Sequence, residues 1–175
     1  MSELELSRLV KPRALPAGEL AIEANEAERA ALARRFGVTS IKALTATVGF
    51  DTKDGAVLAN GRLKATIEQP CAITRDNFTY EVEEPLTLRF VPSGSTPDYA
   101  PDEEIELDTE DLDEIEYEGE TLDLGEAIAQ TLALAIDPYR EGPGADEARE
   151  SAGIVSDEDT PSGPLAEALA ALRKD

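Results

Sequence analysis

Few side chains in this chain could carry out catalysis. The sequence contains no histidine, which is the commonest general base near neutral pH and the commonest metal ligand. Cys71 is the only cysteine, so the chain can form neither an internal disulfide nor a zinc site with several Cys or His ligands. To act as a nucleophile, Cys71 would need an arginine or a helix N-terminus to lower the pKa of its thiol. We therefore interpret Cys71 as a small free thiol at the end of a strand.

Other catalytic patterns are absent or unspecific. The chain has no glycine-rich phosphate loop and no G-x-S-x-G nucleophile motif. The acidic run at Asp108–Asp113 lacks the glycine of an EF-hand calcium loop. With 38 Asp and Glu in the chain, coincidence explains any pair of carboxylates suited to glycoside hydrolysis. The sequence predicts a protein that is not an enzyme and has no metal or cofactor. A carboxylate cluster that holds Mg²⁺ for RNA processing is the remaining catalytic alternative.

Negative charge is concentrated in the second half of the chain. The net charge is −22, and residues 76–175 carry 5 basic and 29 acidic side chains, whereas residues 1–75 carry 11 and 9. An excess of this sign repels nucleic-acid phosphates and anionic lipids and attracts basic partners. The segment from Asp98 to Glu126 has 15 acidic residues and no Lys or Arg. We predict that it binds a basic partner, with a solvated, disordered segment as the alternative. The candidate binding residues are Asp102, Glu103, Glu104, Glu106, Asp108, Glu110, Asp111, Asp113 and Glu114.

A smaller, basic set of side chains is the candidate for direct RNA contact. It consists of Lys42, Arg62, Lys64 and Arg75 in the less acidic half. The competing interpretation, which we favour, is ordinary polar decoration of a solvated sheet face. Aromatic residues that could stack on bases are scarce, since the chain has no tryptophan.

Alternating hydrophobicity predicts an antiparallel meander. Leu44–Phe50 and Val57–Ile67 alternate apolar and other residues on either side of an Asp54-Gly55 turn, which is typical of a hairpin. A third strand follows over Phe78–Phe90, in which Pro85 indicates a bulge or an edge position. A short strand is also predicted at Leu4–Leu6.

Capping signals predict two helices that pack on these strands. The first runs from Asn25 to Phe36, with Glu28 in capping-box position and Gly37 at the C-cap. The second is capped by Asp123, with Glu126 three residues on, and ends before Asp137-Pro138. The predicted fold class is α+β, a meander of three or four strands with two helices, and an open barrel of the same strands is the alternative.

Composition predicts one domain followed by a tail. We expect a single domain at 1–139 that includes a mobile acidic loop at about 92–120, in which Ile115 and Tyr117 could form a short strand. Residues 140–175 are expected to be a flexible acidic tail, disordered over 140–163, with a short amphipathic helix at about 164–173. The first residues lack the apolar core of a signal peptide, and no apolar run approaches the ~20 residues needed to cross a bilayer. The expectation is a cytoplasmic monomer with no membrane partner.

The order of these elements resembles a known family. The sequence reads I-E-Q-P-C at Ile67–Cys71, EEPLTLRFVP at Glu83–Pro92 and LDLGEAIAQTLALAIDPY at Leu122–Tyr139, and it ends in LAEALAALRKD. In this order and spacing it resembles the YceD family, the large ribosomal RNA subunit accumulation proteins, over nearly the whole chain. The positions of the family motifs are Cys71, Asp123, Leu124, Glu126, Asp137 and Pro138.

The resemblance implies a role in the accumulation of large-subunit ribosomal RNA, without a settled enzymatic activity. Combined with the acidic half, it leads us to expect a basic ribosomal protein or a large-subunit assembly intermediate as the partner, with rRNA associated directly or indirectly. Many relatives carry further cysteines near the position of Cys71 and after the last long helix. Here Ala72, Ile73 and Thr74 follow Cys71, so the resemblance implies no metal or redox role for this chain.

Overall fold

The computed structural model describes residues 5–94, 114–154 and residue 163. Within them the chain forms seven strands, three α-helices and a 3₁₀ turn at Pro12–Ala14. The strands are β1 (Leu9–Val10), β2 (Leu20–Glu23), β3 (Ser40–Lys53), β4 (Ala56–Pro70), β5 (Asn77–Pro92), β6 (Glu114–Tyr117) and β7 (Leu122–Asp123). The helices are α1 (Glu26–Phe36), α2 (Leu124–Ala135) and α3 (Ala145–Ser151). The predicted α+β class is confirmed.

A five-stranded sheet in the order β2-β3-β4-β5-β6 forms the framework. All neighbours in it are antiparallel except β6, which is parallel to β5, and β1 pairs separately with β7. The sheet stays open, so the meander is confirmed and the barrel alternative is wrong. Ile115 and Tyr117 lie in the short strand β6, as their spacing suggested.

The β3–β4 hairpin follows from its turn and its alternation. Asp54 and Gly55 both have positive φ, 54° and 82°, as a type I′ turn requires, and Lys53 pairs with Ala56 across it. The inward side chains of the three long strands form the core with α1 and α2, which pack on the same face. Leu63 and Ile67 of β4 are fully buried, as are Leu32 of α1 and Leu132 of α2. The opposite face of the sheet is mostly polar and solvated.

Pro85 marks an edge rather than a bulge. The β4–β5 register runs without a shift from Val57↔Phe90 to Pro70↔Asn77, which places Pro85 opposite Arg62. On the other side of β5, the described residues supply a neighbour only along Arg89–Pro92, where β6 pairs. Pro85 and the half-buried Glu84 therefore lie on an open edge. A proline and an inward-phase charge are residues that discourage pairing with a further strand.

Two predictions at the ends of the fold are wrong. Residues 5 and 6 are not a strand, and Leu4 lies outside the described residues; β1 begins only at Leu9 because its pairing partner is the distant β7. The alternation of apolar and polar residues in this segment reflects the full burial of the Leu6 side chain and not strand pairing. Disorder is also wrong for 140–154, which contains α3. The segments 95–113 and 164–173 lie outside the described residues, and the division into a domain at 1–139 and a tail stays a prediction.

One carboxylate joins the N-terminal segment to the start of α2. Asp123 caps α2 by accepting the backbone N–H groups of Gly125 and Glu126, at 3.0 and 3.3 Å. The same carboxylate accepts the Ser7 hydroxyl at 2.6 Å and the Arg8 backbone N–H at 2.8 Å. A Cβ on Gly125 would lie 2.7 Å from the Arg8 nitrogen, so only glycine allows this approach.

The starts of both helices meet at this point. Arg8 donates to both carboxylate oxygens of Glu28, at 2.7 and 3.0 Å, while Glu28 and Asn25 complete the predicted capping box of α1. These contacts lower the pKa of Glu28, chiefly through the hydrogen bond from Arg8. Glu126 was predicted as the capping-box partner of Asp123. Its carboxylate instead accepts hydrogen bonds from both Nη atoms of Arg35, at 2.7 and 2.9 Å.

We expect Asp123→Ala to destabilise the fold by about 2–4 kcal/mol. The loss of the helix cap costs about 1 kcal/mol. The Ser7 hydroxyl and the Arg8 N–H, left without this acceptor, add about 1–3 kcal/mol. Urea unfolding followed by circular dichroism measures it. Asp76→Ala, at an exposed loop position, is the control and should change stability by less than about 0.5 kcal/mol. Equal midpoints for the two variants would contradict this role of Asp123.

Candidate functional site

Most of the predicted acidic binding residues, Asp102 to Asp113, lie outside the described residues. Glu114 is described: it begins β6, and its Oε1 lies 2.9 Å from Nε of Arg89. Pro92 of β5 is in register with Tyr117 of β6, and the Ser93 N–H donates to the Tyr117 carbonyl at 2.9 Å. The described residues on either side of 95–113, which we name the acidic segment, therefore lie at the same edge of the sheet.

The described residues divide sharply in charge. Residues 5–94 contain 12 basic and 12 acidic side chains, whereas 114–154 contain 2 and 11. Both arginines of the second stretch are engaged within the fold. Arg140 lies over the Tyr80 ring, 4.2 Å from its centroid, and Arg149 pairs with Glu141 and Asp146. The stretch 114–154 thus carries an excess of negative charge, although Glu114 and Glu126 pair with Arg89 and Arg35 of the first stretch.

The four candidate RNA-contact residues do not form one basic patch. Arg62 and Lys64 share the carboxylate of Glu83, at 2.7 and 3.2 Å, and the two cations lower its pKa, Lys64 most strongly. Lys42 lies at the bulge near the start of β3, with its Nζ 3.6 Å from Glu68. Arg75 is in the β4–β5 loop with φ of 68°. Three of the four cations therefore have an acidic neighbour on the outer face of the sheet, with Glu83 shared between two of them.

The motif positions Cys71 and Asp137 meet at the end of the sheet where β4 passes into β5. Gln69 donates from Nε2 to the Asp137 carbonyl at 2.9 Å, and the Ala72 N–H donates to the Arg140 carbonyl at 3.1 Å. The Gly142 N–H donates to Sγ of Cys71 at 3.2 Å. The chain that follows α2 is thereby attached to the β4–β5 loop, and we name this arrangement the Cys71 junction. Asp123, Leu124 and Glu126 lie at the opposite end of α2.

Sequence reasoning missed the role of four side chains at the Cys71 junction. Gln69 is 3% exposed and accepts the Tyr80 hydroxyl at 2.6 Å, while Phe78 stacks on Tyr80 with ring centroids 5.6 Å apart. Arg140 also lies over the Tyr80 ring. One signal was available, since Gln69 falls on the inward phase of β4. A buried amide there needs partners, which indicates a contact beyond the sheet.

The Cys71 thiol is buried and surrounded by donors. It is 1% exposed, and its sulfur accepts N–H groups from Ile73 and Thr74, both at 3.4 Å, in addition to Gly142. These donors favour the thiolate and lower the pKa of Cys71 to about 7, the Gly142 N–H contributing most and burial opposing. Since the pKa is lowered on folding, the thiolate stabilises the fold above the ordinary thiol pKa of about 8.5. This contribution falls with decreasing pH and is lost below about 7.

Among the described residues, no group of three or more His, Cys, Asp or Glu could hold a metal ion. In that part, no helix is long and apolar enough to cross a membrane.

Comparison with known proteins identifies the family. The family model described as "Large ribosomal RNA subunit accumulation protein YceD" matches residues 59–173, which include Cys71, Asp123 and Asp137. The chain belongs to the YceD family. No curated protein and no solved structure matches it. The YceD description is that of an accumulation factor for large-subunit ribosomal RNA. The YceD match begins within β4. Two residues inside the matched range nevertheless contact residues before it: Asp123 accepts the Arg8 N–H, and Glu126 accepts from the Arg35 side chain.

We expect Gly142→Ala to loosen the Cys71 junction. A Cβ at Gly142 would lie 2.9 Å from the Phe78 ring and 3.4 Å from Cβ of Cys71, so the chain after α2 must shift at a cost of about 1–2 kcal/mol. The N–H···S contact then weakens, and the pKa of Cys71 rises from about 7 toward its ordinary value. Thiolate absorbance near 240 nm against pH, with a Cys71→Ser blank, measures the pKa.

Gly144→Ala is the matched control for this experiment. Its Cβ would meet Thr74 at 3.9 Å, an ordinary contact, so neither stability nor the Cys71 titration should change. Identical titration curves for the two glycine variants would show that the Gly142 N–H does not set the pKa of Cys71.

Proposed function

We propose that the protein is a non-enzymatic factor that supports the accumulation of large-subunit ribosomal RNA in the cytoplasm. It would do so by binding basic ribosomal proteins, or an assembly intermediate that contains them, during large-subunit assembly. The family supplies the setting. The observation that carries the proposed mechanism is the charge division, in which a balanced sheet bears an acidic segment and an acidic C-terminal stretch.

The anchoring of the acidic segment supports this proposal. Both of its ends are held at one edge of the sheet by the β5–β6 pairing and by the ion pair between Arg89 and Glu114. Residues 95–113 between them contain nine acidic side chains and no basic ones. A concentration of one charge sign beside a folded frame accelerates encounter with basic proteins and disfavours acidic ones.

The pairing of the sheet cations supports an indirect route to rRNA. Arg62, Lys64 and Lys42 already have acidic neighbours, so a phosphate that bound them would have to displace Glu83 or Glu68. Counterion release, the main source of affinity for RNA, is smaller at cations that are paired within the protein. A basic ribosomal protein that binds both this chain and rRNA would connect the two.

Neutralising the acidic segment should weaken the binding of basic ribosomal proteins. The variant carries Glu103→Gln, Glu104→Gln, Glu106→Gln and Glu110→Gln. Four charge contacts with the partner at about 0.2–1 kcal/mol each predict a loss of affinity of roughly tenfold at 0.1 M salt, with a smaller loss at 0.5 M. Pull-down of purified ribosomal proteins at both salt concentrations measures it.

A matched control removes four exposed acids elsewhere, with Glu19→Gln, Glu23→Gln, Glu26→Gln and Glu81→Gln. This control should bind like the native protein, which separates local from total charge. If the control bound ribosomal proteins as weakly as the test variant, the effect would depend on net charge and not on the acidic segment. Absence of any salt-sensitive basic partner would reject the proposal.

The Arg62→Gln, Lys64→Gln variant distinguishes direct from indirect rRNA association. Since both cations are paired with Glu83, we expect the rRNA recovered with the protein from native cells to stay within about twofold of the native amount. Lys11→Gln, Arg13→Gln removes the same charge from the N-terminal segment and is the control. Loss of rRNA in the first variant alone would favour direct contact through the sheet.

A further inference from the structure

Three large apolar side chains are exposed around the Cys71 junction. Leu134 in the last turn of α2 is 89% exposed, Tyr139 is 79% exposed and Ile73 in the β4–β5 loop is 41% exposed. We name this set the junction patch. Gln130 and Leu134 are the two exposed positions of α2 and lie one turn apart. Leu134 is the apolar one of the two.

The backbone that presents these side chains is fixed. The Tyr139 N–H donates to Oδ1 of Asp137 at 2.8 Å, and the Arg140 N–H donates to the Asp137 carbonyl at 3.2 Å. Ile73 is held through its N–H to the Cys71 sulfur. Because Ala72 is hydrogen-bonded to Arg140, Ile73 and Tyr139 each lie one residue from that bond. An exposed ring on a fixed backbone is typical of a binding anchor, since little entropy remains to be lost there.

Acidic side chains surround the junction patch. Asp137 and Glu141 flank it along the chain, and α3 adds Asp146, Glu147 and Glu150. The start of α3 lies beside the β4–β5 loop, since a Cβ on Gly144 would be 3.9 Å from the Thr74 side chain. Three arginines are near: Arg140 lies over Tyr80, Arg149 pairs with Glu141 and Asp146, and Arg75 is exposed in the β4–β5 loop. The segments 71–76 and 137–151 together carry six acidic and three basic side chains, and we name these carboxylates the acidic rim of the patch.

We infer that the junction patch is a docking site for an amphipathic helical segment of a protein, with leucine-like residues on one face and Lys or Arg beside them. The inference deepens the proposed function, on which it rests, by naming the kind of segment that a basic partner supplies. One helix of two to three turns, roughly 11–16 Å long, presents apolar residues at i, i+3 and i+7.

The charge around the junction patch favours a basic peptide over RNA, an anionic lipid surface or a second copy of the chain. The acidic rim repels RNA phosphates and anionic lipid surfaces. A second copy of the chain brings the same rim and a net charge of −22, so self-association would oppose two negative surfaces. A basic amphipathic segment satisfies both the apolar centre and the rim.

The test uses the full chain and a labelled model peptide of about 18 residues that contains only leucine and lysine, with the leucines on one helical face. A second peptide of the same composition has its leucines distributed around the helix. Fluorescence anisotropy at physiological salt measures both affinities. We expect the amphipathic peptide to bind more tightly, and Leu134→Gln and Tyr139→Ser each to weaken it roughly tenfold.

Leu9→Gln is the matched control, because Leu9 is also exposed, at 66%, but lies at the β1–β7 ribbon. It should bind like the native protein, and all three variants should melt within a few degrees of it since each side chain is exposed. Equal binding of the two peptides, or native affinity in both patch variants, would overturn the inference. Concentration-dependent dimers that Leu134→Gln abolishes would assign the patch to a second copy instead. Tighter peptide binding after Leu165→Ser, Leu169→Ser and Leu172→Ser would assign it to the chain's own terminus.

The two proposals fail separately. Native peptide affinity in the patch variants, together with weaker ribosomal-protein binding after neutralisation of the acidic segment, rejects the docking site and leaves the proposed function standing. Weaker peptide binding in the patch variants, together with no basic ribosomal protein bound by the native chain, supports the docking site and rejects the proposed function.

Discussion

The carboxylate of Asp123 is the contact on which the arrangement of the fold depends. It satisfies the first N–H groups of α2 and at the same time accepts Ser7 and Arg8, residues more than one hundred positions earlier in the chain. Because α2 is a rigid element of twelve residues, roughly 18 Å long, fixing its start also determines where its end lies. That end carries Leu134 and continues into the Asp137 turn, so the geometry of the Cys71 junction depends on a contact at the far end of the helix. A local cap thus acts as a long-range constraint.

Ion pairs around Asp123 contribute specificity more than stability. Arg8–Glu28 and Arg35–Glu126 are partly exposed, and such pairs are each worth about 1 kcal/mol or less. Their geometry is bidentate, which orients α1 relative to α2. Both carboxylate oxygens of Glu126 accept from Arg35, whereas Glu28 accepts from Arg8 and from the Asn25 N–H together. The pKa of Glu126 is lowered, chiefly by the hydrogen bond from Arg35.

Local features of the fold could be predicted from the sequence, and contacts distant along the chain could not. Asn25, Glu28 and Gly37 set the limits of α1 through atoms within a few residues, and Asp54-Gly55 determines its hairpin by its own backbone preference. In contrast, Leu9 pairs with Asp123 and Gln69 binds Asp137, and hydrophobic periodicity carries no information about which distant segment satisfies a given group. The same limit applies to the candidate site. Lys42, Arg62 and Lys64 are on the predicted polar face, but their acidic partners depend on strand register, which placed Glu83 beside two cations.

The distribution of ion pairs bears directly on what the acidic excess is for. Within residues 5–94, six cations pair with acidic side chains: Arg8, Arg35, Lys42, Arg62, Lys64 and Arg89. Both arginines of 114–154 are also engaged, yet that stretch keeps an excess of carboxylates. Like charges held close on a compact chain repel and reduce its stability. An acidic excess that these pairs do not offset therefore costs folding free energy. Binding of the basic partner proposed above would recover that cost, because cations of the partner would then face the carboxylates that the fold leaves in excess.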